Sequence, residues 1–421
     1  MASHNKTRRE FLKDGALATG AMGLSLGGLV APAVGQSQFS EWGWPQPRGQ
    51  VLAKSVDWLK SKGWWPLQVA WNPLWSDGNI VLFAMQHYKL LQARGIEAQF
   101  PEFLIAGLMN EVFVPAKIQV AQAGSLGLLR IIELKVPVVA PICYPAQRQG
   151  FMVPIDSPLK GLADLKGQKV LGRPAQWGTA IGSAVHTGLL VAAKVLGLRE
   201  GEDFQIKNMS AADMMAMPKG VDLVCMWEPN ITLMTEFRKN ARILETMAAY
   251  TIFNGYSYLR GEIEENAPDV VQAYVDAFIE ARLLVKLKSQ EVLAAFAAHD
   301  SQRGRDPKLI ARDAETHVLN PKPTLSYPFE DTRGFWAPLE TYQANIMTDA
   351  NVLKRRFTEN DFKSALRTKY QADTFSRLGW SVPKQPTFLP ANWTGEVGKP
   401  PTLHPGLRLL ESRNFLNQAI S

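Results

Sequence analysis

The sequence predicts an α/β protein built from two successive blocks of alternating strands and helices. Three observations carry this. Short apolar runs of strand length recur from Pro66 onward, each followed by a segment whose apolar residues fall at three- and four-residue spacing. Glycines stop several helical segments, as at Gly95 and Gly197. The alternation restarts after Gln147 and gives way to a strongly helical stretch after Pro268.

Residues 1–36 come first. Thr7-Arg8-Arg9-Glu10-Phe11-Leu12-Lys13 precedes an Ala-, Gly- and Leu-rich run over 14–30, and Ala31-Pro32-Ala33 supplies an A-x-A cleavage site. This resembles a twin-arginine export signal. The run is too short and too rich in glycine to span a bilayer, which takes ~20 strongly apolar residues. An exported protein works where ATP and NADH are not supplied, which excludes many enzyme classes.

Residues 37–65 form a Trp-, Gly- and Pro-rich arm with a short helix over 51–60. A strand over 67–71 ends in the turn Asn72-Pro73-Leu74-Trp75-Ser76-Asp77-Gly78. A helix over 80–94 follows, apolar at Val81, Leu82, Met85, Tyr88, Leu90 and Leu91. Strands over 96–100, 117–121 and 137–144, with a helix over 126–134, complete the first block. In the second block, 162–170 leads tightly into a strand over 169–172. A loop over 178–182, a helix over 183–196, a strand over 204–208 and a short helix over 211–217 follow. A strand over 221–227, a helix over 231–237 and extended segments over 241–246 and 250–259 close the block. Helices are predicted over 270–287 and 291–299, a Pro/aromatic connection over 321–338, and one or two helices within 339–378. Six prolines in 380–421 make that tail a surface wrap.

A chain of 421 residues with 46% hydrophobic and 20% charged side chains is an ordinary globular composition for two or three domains. The formal charge is +7; residues 1–36 hold four basic and two acidic side chains, so the remainder carries about +5. That mild surplus suits a small anionic ligand. Without a basic–aromatic stripe, no nucleic-acid partner is expected. The two cysteines, Cys143 and Cys225, lie in apolar strand-like runs and read as buried thiols or as one bridge, not as a disulfide framework. Six scattered histidines give no zinc spacing, so no metal is expected.

The sharpest local motif is Gly178-Thr179-Ala180-Ile181-Gly182-Ser183-Ala184-Val185-His186, a glycine-containing loop between a strand and a helix. Glycines allow close backbone approach, Ser183 suits an N-cap, and a helix start is partly positive. The motif therefore reads either as an anion site or as a plain capped turn. It is neither a P-loop nor a Rossmann fingerprint. Ser183 and His186 share a helical face, but no acidic orienter accompanies them, which argues against a catalytic pair. Trp71-Asn72-Pro73-Leu74-Trp75, Gly124-Ser125 and Met226-Trp227-Glu228-Pro229-Asn230 occupy other strand ends. In open α/β sheets, ligands bind outside the carboxyl ends of strands. Trp71 reads equally as a pocket wall or as core.

Three segments together resemble the solute-binding proteins of ABC importers, in the nitrate-, sulfonate-, taurine- and thiamine-precursor-binding superfamily. They are Ser157-Pro158-Leu159-Lys160-Gly161-Leu162-Ala163-Asp164-Leu165-Lys166-Gly167-Gln168-Lys169-Val170, Gly182-Ser183-Ala184-Val185-His186, and Gly220-Val221-Asp222 leading to Trp227-Glu228-Pro229. The resemblance covers about residues 66–299. It implies the type II periplasmic-binding-protein fold, with two α/β lobes joined by two crossover strands near 144–152 and 249–256. Lobe 1 would be 66–145 and 250–330, lobe 2 would be 146–249, and 331–421 an extension packing on lobe 1. The arm and this extension are longer than a minimal member needs.

The resemblance further implies a cofactor-free, non-enzymatic, monomeric periplasmic protein. It would capture a small anionic or aromatic ligand, such as a sulfonate, carboxylate or nitrate-like anion, and deliver it to an ABC permease and ATPase complex. Ser183, with the backbone at Gly182 and Ala184, would take the anionic group. Trp71, Trp75 and Trp227 would form apolar walls, Asn72 and Ser125 would add hydrogen bonds from lobe 1, and Glu228 would complete the set at its strand end. The alternatives are an enzyme on the same fold, like the thiamine-precursor synthases, and a ligand-sensing module that docks on a receptor.

Overall fold

The computed structural model describes residues 38–40, 44–73, 78–103, 106–145, 148–251, 253–317 and 332–378. The export signal expected at 1–36, Trp75, the part of the expected 321–338 connection before Thr332, and the tail expected over 380–421 lie outside the described residues. The chain divides into two compact units, 1–38 and 39–421, and the architecture below is that of the second.

The strands of its two large sheets are β1 (Leu67–Ala70), β2 (Ala98–Gln99), β3 (Val120–Gly124), β4 (Val138–Pro145), β5 (Gln149–Pro154), β6 (Ala175–Thr179), β7 (Phe204–Asn208), β8 (Leu223–Trp227), β9 (Ala241–Thr246) and β10 (Asn254–Arg260). They form two five-stranded sheets, ordered β2-β1-β3-β10-β4 and β9-β5-β8-β6-β7. Within each sheet the strands that precede helices run parallel, and β10 and β5 enter antiparallel. The chain crosses between the sheets twice, from β4 to β5 and from β9 back to β10. This is the two-lobed α/β architecture that the sequence predicts.

The helices are α1 (Ala53–Ser61), α2 (Gly78–His87), α3 (Ala106–Phe113), α4 (Ser125–Glu133), α5 (Ala184–Leu196), α6 (Ala211–Ala216), α7 (Asn230–Thr232), α8 (Gly261–Asn266), α9 (Pro268–Leu287), α10 (Ser289–Ala298), α11 (Pro307–His317), α12 (Thr332–Asp349), α13 (Glu359–Lys363) and α14 (Lys369–Arg377). Among the described residues, none is long and apolar enough to cross a membrane.

Period-two alternation explains why both faces of each sheet are covered. In β10, Leu259 joins Val69, Val271, Tyr274 and Phe278 on one face, while Tyr256 and Tyr258 join Met109, Phe113 and Leu128 on the other. In lobe 2, Phe151, Val153, Leu223 and Cys225 pack with Trp177 and Leu189, whereas Met152, Val224 and Met226 pack with Met214 and Met234. Cys143 and Cys225 are buried free thiols, one in each lobe.

Several elements shift from their expected places. The segment over 169–172 is a turn, with Gly172 at φ +66, and the strand begins at Ala175. Ala175 and Trp177 can bury against Phe151 and Phe204, whereas Val170 remains exposed. The third strand starts at Val120 instead of 117, because Ala116 takes φ +60 and turns the chain there. The helix expected over 80–94 stops at His87, and Lys89 turns at φ 53 before a 3₁₀ turn ending at Arg94. Residues 231–237 divide into the end of α7 and a wider π turn, Leu233–Phe237.

The extension does not keep to lobe 1. Helix α12 packs on α4 of lobe 1 and on α5 of lobe 2. Its Met347 joins the lobe 1 core and its Ile346 the lobe 2 core. Apolar side chains one position apart on a helix point about 100° apart, so a single helix can fill two cores.

Candidate functional site

In lobe 2 the strand-to-helix motif folds as a tightly bonded turn. Thr179 ends β6, and its carbonyl accepts from the Met209 N–H at 2.9 Å. Ile181 N–H donates to Asn208 Oδ1 at 3.1 Å. Gly182 adopts φ +82, a left-handed conformation that costs glycine little. Ser183 is the N-cap of α5. Its hydroxyl donates to the Ala180 carbonyl at 2.6 Å and accepts from His186 N–H at 3.4 Å. The hydroxyl is therefore committed to the turn. The N–H groups of Ala184 and Val185 lie in the first helical turn, which has no internal acceptor for them. With the hydroxyl committed, the donors left at this helix start are those backbone N–H groups and their partial charge.

His186, in the same turn, is the residue that sequence reasoning passed over. It was weighed only as a catalytic base. Its ring is buried, and burial lowers its pKa to about 4. Nδ1 accepts from Gly182 N–H at 3.2 Å. In a neutral ring that accepts at Nδ1, Nε2 carries the proton. His186 is thus a fixed N–H donor that stays uncharged at neutral pH. One step along α5, Gly188 leaves room for the crossover: a Cβ there would meet Met247 Sδ at 2.5 Å.

In lobe 1, Trp71 is core. It has no exposed surface, its Nε1–H donates to the Phe100 carbonyl at 3.3 Å, and its ring packs against Phe296 and His299. The apolar-wall role expected of it is corrected accordingly. Asn72 and Ser125 are buried at the ends of β1 and β3. Ser125 opens α4 as its first residue, behind the N-cap Gly124. Beneath them runs a polar chain. Tyr274 Oη donates to Ser257 Oγ at 3.0 Å, Ser257 to Gln122 Oε1 at 2.9 Å, and Gln122 Nε2 to Asn79 Oδ1 at 3.4 Å. It pins the start of α2, which follows the Asn72 turn.

Glu228 also departs from its expected role. Its side chain is fully buried, pairs with Arg148 on the first crossover, and accepts from Thr232 N–H at 2.9 Å. Every one of these bonds holds α7 and the crossover together, so the carboxylate is structural. Trp227 is half-buried between the two lobe 2 cores. Trp71 and Trp227 therefore belong to different cores and are not brought together as two walls.

Another residue invisible to motif reading is Arg305, just ahead of α11. Its Nη1 donates to Gln302 Oε1 at 2.7 Å, and Gln302 Nε2 in turn donates to the Pro73 carbonyl, at the end of β1. Burial lowers its pKa, with Asp313 as the nearby countercharge. Helix α11 runs from there to α7 at the end of β8, and Arg312 meets Glu236 at 3.2 Å. Gln302 and helix α11 thus link the strand ends of the two lobes. Two cavities, of about 430 and 730 Å³, contain none of the expected site residues; they flank α12 and β4. Among the described residues, no group of three His, Cys, Asp or Glu could hold a metal ion.

No protein-family model matches the sequence, and no curated protein matches it. Solved structures do match. The periplasmic aliphatic sulphonate binding protein SsuA from Escherichia coli superposes with a TM-score of 0.59 at 18% identity, covering 73% of this chain and 98% of its own. The alkanesulfonate-binding protein SsuA from Xanthomonas axonopodis, bound to MOPS, gives 0.55 at 17% identity, covering 72% and 97%. The periplasmic nitrate-binding protein NrtA from Synechocystis gives 0.60 at 12% identity, covering 76% and 91%. At such identities the likeness establishes the fold, which is that of two-lobed periplasmic binding proteins.

Proposed function

We propose that this chain is an exported substrate-binding protein that captures a small organic anion between its lobes and delivers it to an ABC permease and ATPase. The observation that carries this reading is the α5 start in a two-lobed frame. Ala184 and Val185 present backbone N–H groups beside a neutral His186 donor, on the binding-protein fold. The partly positive helix start suits a charged headgroup such as a sulfonate or carboxylate. Closure of the lobes about the two crossovers would sequester the ligand. The export motif supports a periplasmic location, and nothing in the chemistry calls for a cofactor. Turnover through a cysteine is disfavoured, because burial raises both thiols, Cys225 to about 12.

The test is calorimetry and thermal shift of the full chain against sulfonates, carboxylates, nitrate and uncharged analogues of the same shape. At least one anion should bind and raise Tm, and its uncharged analogue should not. Stabilisation by uncharged analogues alone, or by no member of the panel, overturns the reading.

A further inference from the structure

Helix α12 carries a carboxylate, that of Glu340, with no cation paired to it among the described residues. Glu340 is 1% exposed, and both residues that it touches on β10, Asn254 and Tyr256, are equally buried. Its Oε1 accepts from Tyr256 Oη at 2.8 Å and from Asn254 Nδ2 at 3.4 Å. Its Oε2 has no partner among the described residues, and neither has Asn254 Oδ1. Both orphans are acceptors, and they sit on two groups already joined through their other atoms. An ionised Glu340 would leave two buried acceptors unsatisfied and a charge uncompensated, which is strongly unfavourable.

We propose that Glu340 is held as a neutral carboxylic acid paired face to face with the Asn254 amide, and that this one proton keeps α12 seated on the second crossover between the lobes. A proton on Oε2 donates to Asn254 Oδ1 while Asn254 Nδ2 donates to Oε1. Both orphans are satisfied at once, and no charge is buried. The seat matters because of where α12 lies. It packs on α4 and α5, one from each lobe, and Gln343 Nε2 donates to Thr251 Oγ1 at 2.7 Å within the same crossover. Losing the proton would loosen the helix that braces the hinge.

Among the described residues, the surrounding groups leave the acid uncompensated. Tyr256 from β10 and Cys143 from β4 bear on it; both are neutral, their pKa values raised by burial and then by the Glu340 carboxyl. On α4, Arg130 is engaged by Glu133 and the Val352 carbonyl. On α5, Lys194 lies over the Tyr342 ring, and His186 is neutral. On α13, Glu359 pairs with Lys363, and Asp361 with Arg355. Burial raises Glu340 from 4.5 to about 7. The sign follows from linkage. The folded state holds this proton over a window in which the unfolded state has lost it, so the contribution is full below about pH 4.5 and declines until about pH 7. His186 acts in the opposite direction, so the comparison with a variant isolates Glu340.

The experiment is infrared spectroscopy, thermal melting and hydrogen exchange on the full chain at about pH 5.5 and pH 8, with Glu340→Gln alongside. The glutamine side chain reproduces the acid's donor and acceptor without titrating. The wild type should show the C=O stretch of a buried protonated acid at the lower pH, absent from the variant. On moving to pH 8 it should lose a few degrees of Tm relative to the variant. Exchange in α12, corrected for intrinsic rate, should accelerate at least tenfold in the wild type alone. A missing stretch, parallel melting curves or unchanged α12 exchange overturns the proposal. Should Glu340→Gln fail to fold, the wild-type stretch and its titration decide.

Discussion

The Ser183 hydroxyl donates to Ala180 and accepts from His186 N–H, so its work is to shape the turn that presents other donors. Ser183→Ala is therefore expected to cost about 1 kcal/mol of stability, as loss of a helix N-cap does, and to weaken anion binding only modestly. His186→Leu should weaken binding more than Ser183→Ala does, while also leaving the Gly182 N–H without its acceptor. It removes an N–H donor to a charged ligand, worth about 1.5–3 kcal/mol, or roughly tenfold to a hundredfold in Kd. Calorimetry on both variants separates the two roles, and equal losses would contradict the assignment. Because burial lowers His186 to about 4, its donor stays neutral from about pH 5 upward. Stability from this residue should fall as pH drops from about 6.5 towards 4, because the unfolded chain takes up the proton first. The motif was legible as a capped, glycine-permitted turn. Which of its atoms remained available was not, because that depends on hydrogen bonds to Ala180 and Asn208.

At the scale of elements, the arm is tied to lobe 1 by two carboxylates on α9: Asp269 accepts from Leu52 N–H at 2.7 Å and from Ser55 Oγ at 2.6 Å, and Glu280 holds the arginines. Glu280 is fully buried and meets Arg94 at 2.6 Å and Arg48 at 2.7 Å. Arg94 also packs over the Trp44 ring and donates to the Leu90 carbonyl. Glu280→Ala would leave the buried Arg94 guanidinium without its carboxylate, and the expected cost is about 3–5 kcal/mol by denaturant unfolding. A loss below about 1 kcal/mol would show that the arm is held by Asp269 and its aromatics instead. Helix periodicity made α9 plain from sequence, because its apolar positions repeat over many turns. Short elements were less legible. The strand expected over 169–172 lies at Ala175–Thr179, since a run of two or three apolar residues has no register until a neighbouring strand supplies one.

For the whole molecule, the export motif and the fold make one joint prediction. Replacing Arg8 and Arg9 together by lysine should hold the precursor in the cytoplasm in a fractionation assay, while the purified chain keeps its melting temperature. Normal export of the double variant would overturn the twin-arginine reading. The fold class, the two-block organisation and the strand-end motifs were determined by the sequence alone, because periodicity, glycine stops and turn residues are local signals. What only the tertiary structure decided was which groups are spent. Trp71 went to the core, Glu228 to Arg148, and Glu340 to the crossover amide. Their partners lie far along the chain or in the other lobe, and the free energy of a buried polar group depends on the partner it meets, which no local pattern records.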